Sequence, residues 1–256
     1  MTALRAIGMA FSLYSRIPMP RLNWESRSRA LVLYAFPLVG LAVGGLEVLA
    51  LWLSRLLGLN GLLTGAILTA VPIWVTGGIH LDGFCDVWDA RSSHRSRGRK
   101  LEILKDSHVG AFAVIHCALL LLLTCGLWSQ LAGERAELRP ALALLPVFSR
   151  CLSAFGALSL PNARGEGMLA SVTEGERSPA RWLLLLGSGL CAAALGGVGI
   201  PDLFAPAAGY LTFVHYVRTA KREFGGTTGD LSGWFLQRCE FCTLAGLVLA
   251  RSWEAL

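Results

Sequence analysis

TGGIHLDGFCDVWD, residues 76–89, places three carboxylates within eight residues, directly after an apolar stretch long enough to cross a membrane. The whole chain has six aspartates, at 82, 86, 89, 106, 202 and 230, so half of them fall here. Read as a helix, the run sets Asp82, Asp86 and Asp89 at i, i+4 and i+7, on roughly one face. Carboxylates that close repel one another unless a cation sits between them. An all-oxygen set suits a hard divalent ion, Mg²⁺ in particular, which takes one or two carboxylates plus substrate phosphates. The competing reading is a solvated helix face. The scarcity of acid elsewhere and the adjoining apolar segment, where ionisable groups are costly and mark function, favour a metal and phosphate site at a membrane surface.

Composition points to the same surroundings. The 256 residues are 54% hydrophobic and 16% charged, against about a quarter charged in an ordinary globular chain. This predicts an all-α fold, a polytopic transmembrane helical bundle forming one integral membrane domain over 1–256. About seven spans are expected, at 31–53, 62–76, 110–131, 141–160, 182–200, 203–217 and 231–250. Gly40 and Gly44 in the first form a GxxxG pair suited to close helix contact. The net charge of +6 reads as loop Lys and Arg that orient the spans, not as a nucleic-acid surface. Seven scattered cysteines suggest no disulfide framework.

The loop 80–109 carries Arg91, Arg95, Arg97, Arg99, Lys100 and Lys105, which places it in the cytoplasm. Counting seven spans then brings 80–109, 161–181 and 218–230 to that same side, and these segments hold nearly every polar motif of interest. Lys105-Asp106-Ser107 offers a further metal ligand and a point charge for phosphate. Gly225-Gly226-Thr227-Thr228-Gly229-Asp230 is a turn that can aim backbone N–H groups at phosphate oxygens and ends in another carboxylate; its bland reading is a helix cap. Arg150, within a span, either pairs with Glu240 or an aspartate, or meets phosphate bidentately. Arg164, in Asn162-Ala163-Arg164-Gly165-Glu166-Gly167, is a second phosphate candidate, and His80 is a possible ligand beside the first aspartate. A carboxylate-rich site with cationic partners and no protein nucleophile points to phosphoryl-group transfer between substrates.

TGGIHLDGFCDVWDA, LEILKDSHVGAF and GGTTGD, in that order, resemble the cobalamin synthase (adenosylcobinamide-GDP ribazoletransferase) family. FSLYSRIPMP, FPLVGLAVG and the pair Ser149-Arg150 are similar to it as well. The resemblance implies transfer of adenosylcobinamide phosphate from adenosylcobinamide-GDP to α-ribazole or α-ribazole 5′-phosphate, with release of GMP and with Mg²⁺ as cofactor. It also implies a prokaryotic inner membrane with the active site facing the cytoplasm. In this chain Asp82, Asp86, Asp89, Asp106 and Asp230 would be the metal ligands, with Asp82, Asp86, Asp89, Lys105 and Asp106 catalytic. His80, Ser107, Arg150, Arg164, Gly225, Gly226, Thr228 and Gly229 would bind substrate. Phe84, Cys85, Val87, Trp88 and Ala90 depart from the family's usual DGLADTxDG, His108 replaces a frequent arginine, and the metal-ligand aspartates are kept.

Two other readings remain at this stage. A CDP-alcohol phosphotransferase of phospholipid synthesis also uses membrane-surface aspartates, but Cys85-Asp86 stands where its Ala-Arg is expected. A divalent-cation transporter would carry carboxylates in mid-span, whereas these aspartates fall at span ends or in loops. A homo-oligomer is left open by the sequence.

Overall fold

The computed structural model describes residues 2–20, 26–133, 140–173, 179–196 and 201–254. Among the described residues twelve α-helices follow one another: α1 (Thr2–Tyr14), α2 (Ser26–Arg29), α3 (Val32–Leu56), α4 (Gly61–Thr76), α5 (Ile79–Ser92), α6 (Arg97–Ile103), α7 (Ala111–Gly133), α8 (Leu145–Ser159), α9 (Met168–Thr173), α10 (Arg181–Leu195), α11 (Phe204–Thr219) and α12 (Gly229–Glu254). Short tight turns of helix precede α8 and α11, and a wider π-type turn, Ala220–Phe224, follows α11. Among the described residues there is no strand, only a single parallel bridge between Asn162 and Thr227.

Helices stand at all seven expected span positions, but among the described residues only three, or four if the bent pair α4–α5 counts as one span, are long and apolar enough to cross a membrane. Those three are Val32–Leu56, Ala111–Ala132 and Leu142–Ser159. The second expected span is shorter: α4 passes that test only together with α5, from which it is bent by 95°. Of the fifth, residues 197–200 lie outside the described residues, as do 174–178 of the loop 161–181. Broad apolar faces on α7 (Ile115, Leu119, Leu122) and α10 (Leu183, Leu186, Leu190) are exposed, as suits helices surrounded by lipid.

The bend between α4 and α5 is written in the sequence. Gly77 and Gly78 both take left-handed backbone, φ +67° and +80°, where a side chain would clash with its own carbonyl and glycine does not. The Thr76-Gly-Gly step therefore ends the span and lays α5 across its end. There α5 packs on α12 and α7, while α3 packs on α8 and α11 on α12. Phe84 and Val87 of α5 join Tyr216, Trp234 and Phe235 in one apolar core. A second core gathers Met9, Phe36, Val39 and Leu158 from α1, α3 and α8. The expected GxxxG contact is present: a Cβ on Gly40 would stand 2.5 Å from the Pro146 carbonyl oxygen, and Gly44 abuts Ala143.

Candidate active site

The apolar positions of α5 decide where its carboxylates point. Phe84, Val87 and Ala90 are buried, which leaves Asp82 exposed and Asp86, one turn on, half-buried. Gly83 brings α5 and α12 together: a Cβ there would lie 2.7 Å from the Asp230 Cα. One turn along, Gly233 plays the reciprocal part, its Cβ position 3.0 Å from the His80 carbonyl oxygen. Backbone contact at both points sets Asp230 against the Asp82–Asp86 face.

The loop ahead of α12 is fixed from both sides. Gly225 is left-handed, φ +79°. Thr227 N–H donates to the Pro161 carbonyl (2.8 Å) and Ala163 N–H to the Thr227 carbonyl (2.9 Å). Gly226 lies directly on Pro161, leaving no space for a side chain. Thr228, not Asp230, caps α12: its hydroxyl accepts from Leu231 N–H at 3.1 Å. Across the bridge, Asn162 Oδ1 accepts from the N–H groups of Arg164 (2.9 Å) and Gly165 (2.8 Å), a local turn that presents Arg164. The guanidinium then meets Asp230, Nη2 to Oδ2 2.8 Å. That contact is an ion pair lying out of line for a hydrogen bond, and Nε is buried with no hydrogen-bond partner among the described residues.

Asp82, Asp230 and Arg164 line one cavity of about 200 Å³. Asn162, Glu166, Thr228 and Ser232 complete its polar end, while Tyr14, Leu33, Phe36, His80 and Leu169 close the other. Three of the segments expected on one side, around 82, 164 and 230, thus share a site. Burial, together with the charges of Asp82 and Asp230, pushes the Asp86 carboxyl up to about 7 despite Arg164. The carboxylates here outnumber the cation, which is the condition a divalent ion relieves. Among the described residues no three His, Cys, Asp or Glu side chains stand close enough to hold a metal unaided. Mg²⁺ needs only one or two carboxylates when phosphate oxygens supply the rest, and Asp82 with Asp86, backed by Asp230, fits that requirement.

Other expected site residues stand elsewhere. Both oxygens of Asp89 are engaged in capping α7, accepting from Gly110 N–H (2.5 Å) and Ala113 N–H (2.9 Å). Asp106 is exposed and accepts from His108 N–H at 3.0 Å; that bond and the His108 ring hold its carboxyl below the usual range. Ser107 is exposed beside it. Lys105 reaches the site's rim through an ion pair with Glu166 (2.5 Å). Arg150 is wholly buried and does not line the cavity; its Nη1 donates to Glu240 (2.8 Å) and to the Pro146 carbonyl (3.0 Å), while Nε and Nη2 have no hydrogen-bond partner among the described residues. His80 lines the cavity, 94% buried by its 6% exposure; burial and the nearby Arg150 charge push its pKa down to about 3, leaving it neutral.

Tyr14, Phe36 and Glu166 were not among the expected site residues, although each lies in a quoted stretch, FSLYSRIPMP, FPLVGLAVG or NARGEG. Glu223, which ties Arg91 (2.9 Å) to Lys100 (2.7 Å) behind the loop, carried no such signal.

The family model for cobalamin-5-phosphate synthase matches residues 6–248. A protein of Lachnoclostridium phytofermentans named adenosylcobinamide-GDP ribazoletransferase is 37% identical over 96% of this chain and 94% of its own length. Proteins with the same name from Desulfitobacterium hafniense (36% identical over 96% of this chain and 97% of its own length) and Halalkalibacterium halodurans (35% over 90% of each) are similar throughout. No solved structure matches the chain. With matches of this extent, the chain is a transferase and belongs to the cobalamin-5-phosphate synthase family.

Proposed function

We propose that the chain transfers adenosylcobinamide phosphate from adenosylcobinamide-GDP to α-ribazole or its 5′-phosphate, releasing GMP. The observation that carries this reading is the meeting of Asp82 from α5, Arg164 from the turn after α8 and Asp230 from the start of α12 on one cavity. It is the arrangement a diphosphate needs, with donors for its oxygens and carboxylates to hold a counter-ion. Similarity to proteins named for this activity supports it.

In the reaction an acceptor oxygen attacks the phosphorus on the cobinamide side. A new P–O bond forms, the bond from that phosphorus to the bridging oxygen breaks, and GMP leaves with the bridging oxygen. Arg164, held by Nη2 on Asp230, offers its unpartnered Nε to the phosphate oxygens and balances the charge gathering there. Asp82 and Asp86, with Asp230, would hold Mg²⁺, which supplies neutralisation of the diphosphate. The attacking oxygen is a ribose hydroxyl of the acceptor other than the 5′ position, which stays free or phosphorylated through the reaction, and its proton passes to one of the carboxylates that line the cavity. Thr228 and the Asn162 turn keep Asp230 and Arg164 in place. Arginine-rich 91–100 supports a cytoplasmic site on a prokaryotic inner membrane.

The test is GMP release by the purified full-length protein in detergent or proteoliposomes, with both substrates and with Mg²⁺ supplied or chelated. Turnover requiring all three is expected, and Asp82→Asn should abolish it while the protein still inserts. GMP release that is indifferent to α-ribazole, or full turnover by Asp82→Asn, would refute the reading.

A further inference from the structure

The cavity has two chemically different ends, and the polar one alone accounts for a phosphate. At the other end three rings touch: Tyr14 and Phe36 with centroids 4.4 Å apart, Phe36 edge-on to His80 at 5.7 Å, and Tyr14 stacked on His80 at 6.3 Å. Leu33, Ala157 and Leu169 complete the wall. In this apolar end His80 Nε2 is buried with no hydrogen-bond partner among the described residues. A buried polar atom left that way costs stability unless a ligand satisfies it.

Size and chemistry select the occupant. An apolar cavity of ~150 Å³ holds a benzene, whereas pockets for drug-sized ligands begin near ~300 Å³. Both ends of the cavity together amount to about 200 Å³, so the apolar end has room for no more than a flat ring system and excludes a corrin. Guanine would bury several donors and acceptors against aliphatic and aromatic walls, each unpaired group being costly. A benzimidazole linked to ribose through one nitrogen carries a single free ring nitrogen, an acceptor. One acceptor matches one unpartnered N–H, that of His80 in its Nε2–H tautomer.

We propose that the Tyr14–Phe36–His80 end of the cavity seats the benzimidazole base of the acceptor nucleoside, with His80 Nε2–H donating to its free ring nitrogen, while the corrin and guanosine of the donor stay outside. This rests on the transfer reaction proposed above and assigns the two substrates to different parts of the site. The acceptor ribose then points from the apolar end toward Asp82, Arg164 and Asp230, where its attacking hydroxyl must arrive.

The experiment compares α-ribazole with the indole riboside that has carbon in place of the free ring nitrogen, as competing acceptors for the full-length protein in detergent. The wild-type protein is expected to prefer α-ribazole by about tenfold in kcat/KM, the worth of one hydrogen bond in a buried site. In His80→Phe the preference should collapse to about one, with the KM for α-ribazole raised and that for adenosylcobinamide-GDP unchanged; His80→Gln, which keeps a donor, should restore part of it. Equal use of the two acceptors by the wild-type protein overturns the assignment without needing any variant to fold. So does a His80→Phe effect on the donor KM in place of the acceptor KM. Absence of GMP release with both natural substrates present strikes the transfer reaction itself, a result distinguishable from either of these.

Discussion

Gly83 of α5 and Asp230 of α12 touch through their backbones: a Cβ on Gly83 would lie 2.7 Å from the Asp230 Cα and 2.8 Å from its carbonyl oxygen. Neither atom belongs to a flexible side chain, so an added methyl moves a helix. Gly83→Ala is expected to cost about 1–3 kcal/mol of stability, as overpacking does. It should cost far more activity, about a hundredfold in kcat/KM, because Asp230 parts from the Asp82–Asp86 face and misplacement of about 1 Å has that effect. Thermal melting in detergent and steady-state GMP release measure the two effects. A variant with normal turnover would show that the close helix crossing does not set the site.

Arg164 holds Asp230 at 2.8 Å yet keeps a buried Nε without a partner, so its fork is engaged on one side and available on the other. Arg164→Gln removes the charge and is expected to lower kcat/KM by about a hundredfold, as loss of one preorganised donor does. Arg164→Lys restores charge without the planar fork and should recover only part of this. Titrating adenosylcobinamide-GDP in each variant measures it; full recovery by lysine would mean that charge alone matters at this position.

Much of this site was legible in the chain. The Thr76-Gly-Gly step, the i, i+4 spacing of Asp82 and Asp86, and the topology that gathers 80–109, 161–181 and 218–230 all rest on local backbone rules and on loop charge. What the sequence does not encode locally is which of several like groups faces inward. Asp89 shares the helix face of Asp82 and Asp86 but lies beside the start of α7, whose free amides take both its oxygens. Of the carboxylates open to Arg150, the one it meets is Glu240, a contact between α8 and α12 that no local spacing fixes. The aromatic end of the cavity joins residues 14, 36 and 80, a contact between distant segments that no spacing rule foretells.

The capping role of Asp89 separates it experimentally from its neighbours. Asp89→Asn keeps one carbonyl oxygen to accept from an α7 amide, so its stability loss should fall within the ~0.5–2 kcal/mol known for helix caps. Its kcat should remain within a few-fold of normal, while Asp82→Asn is inactive. Side-by-side melting and turnover measurements decide the point. An inactive but fully stable Asp89→Asn would return this residue to the metal-ligand role that its spacing suggests.

Glu223 makes the fold behind the site sensitive to acid. Burial works against its charge, but the hydrogen bonds from Lys100 and Arg91 and the charges of both outweigh it and hold the carboxyl below the ordinary glutamate range. A carboxyl whose folded pKa is depressed stabilises the fold fully above its unfolded pKa, and that contribution is lost as pH falls through the folded value. The melting temperature of the wild-type protein should therefore exceed that of Glu223→Gln by a constant margin above about pH 5.5, and the margin should shrink as pH falls through and below about 4.3, the ordinary glutamate value. The glutamine variant lacks the titrating group and provides the baseline at every pH. A margin that stays constant to pH 3, or widens on acidification, would show that the Arg91–Glu223–Lys100 triad does not stabilise the loop through its charge.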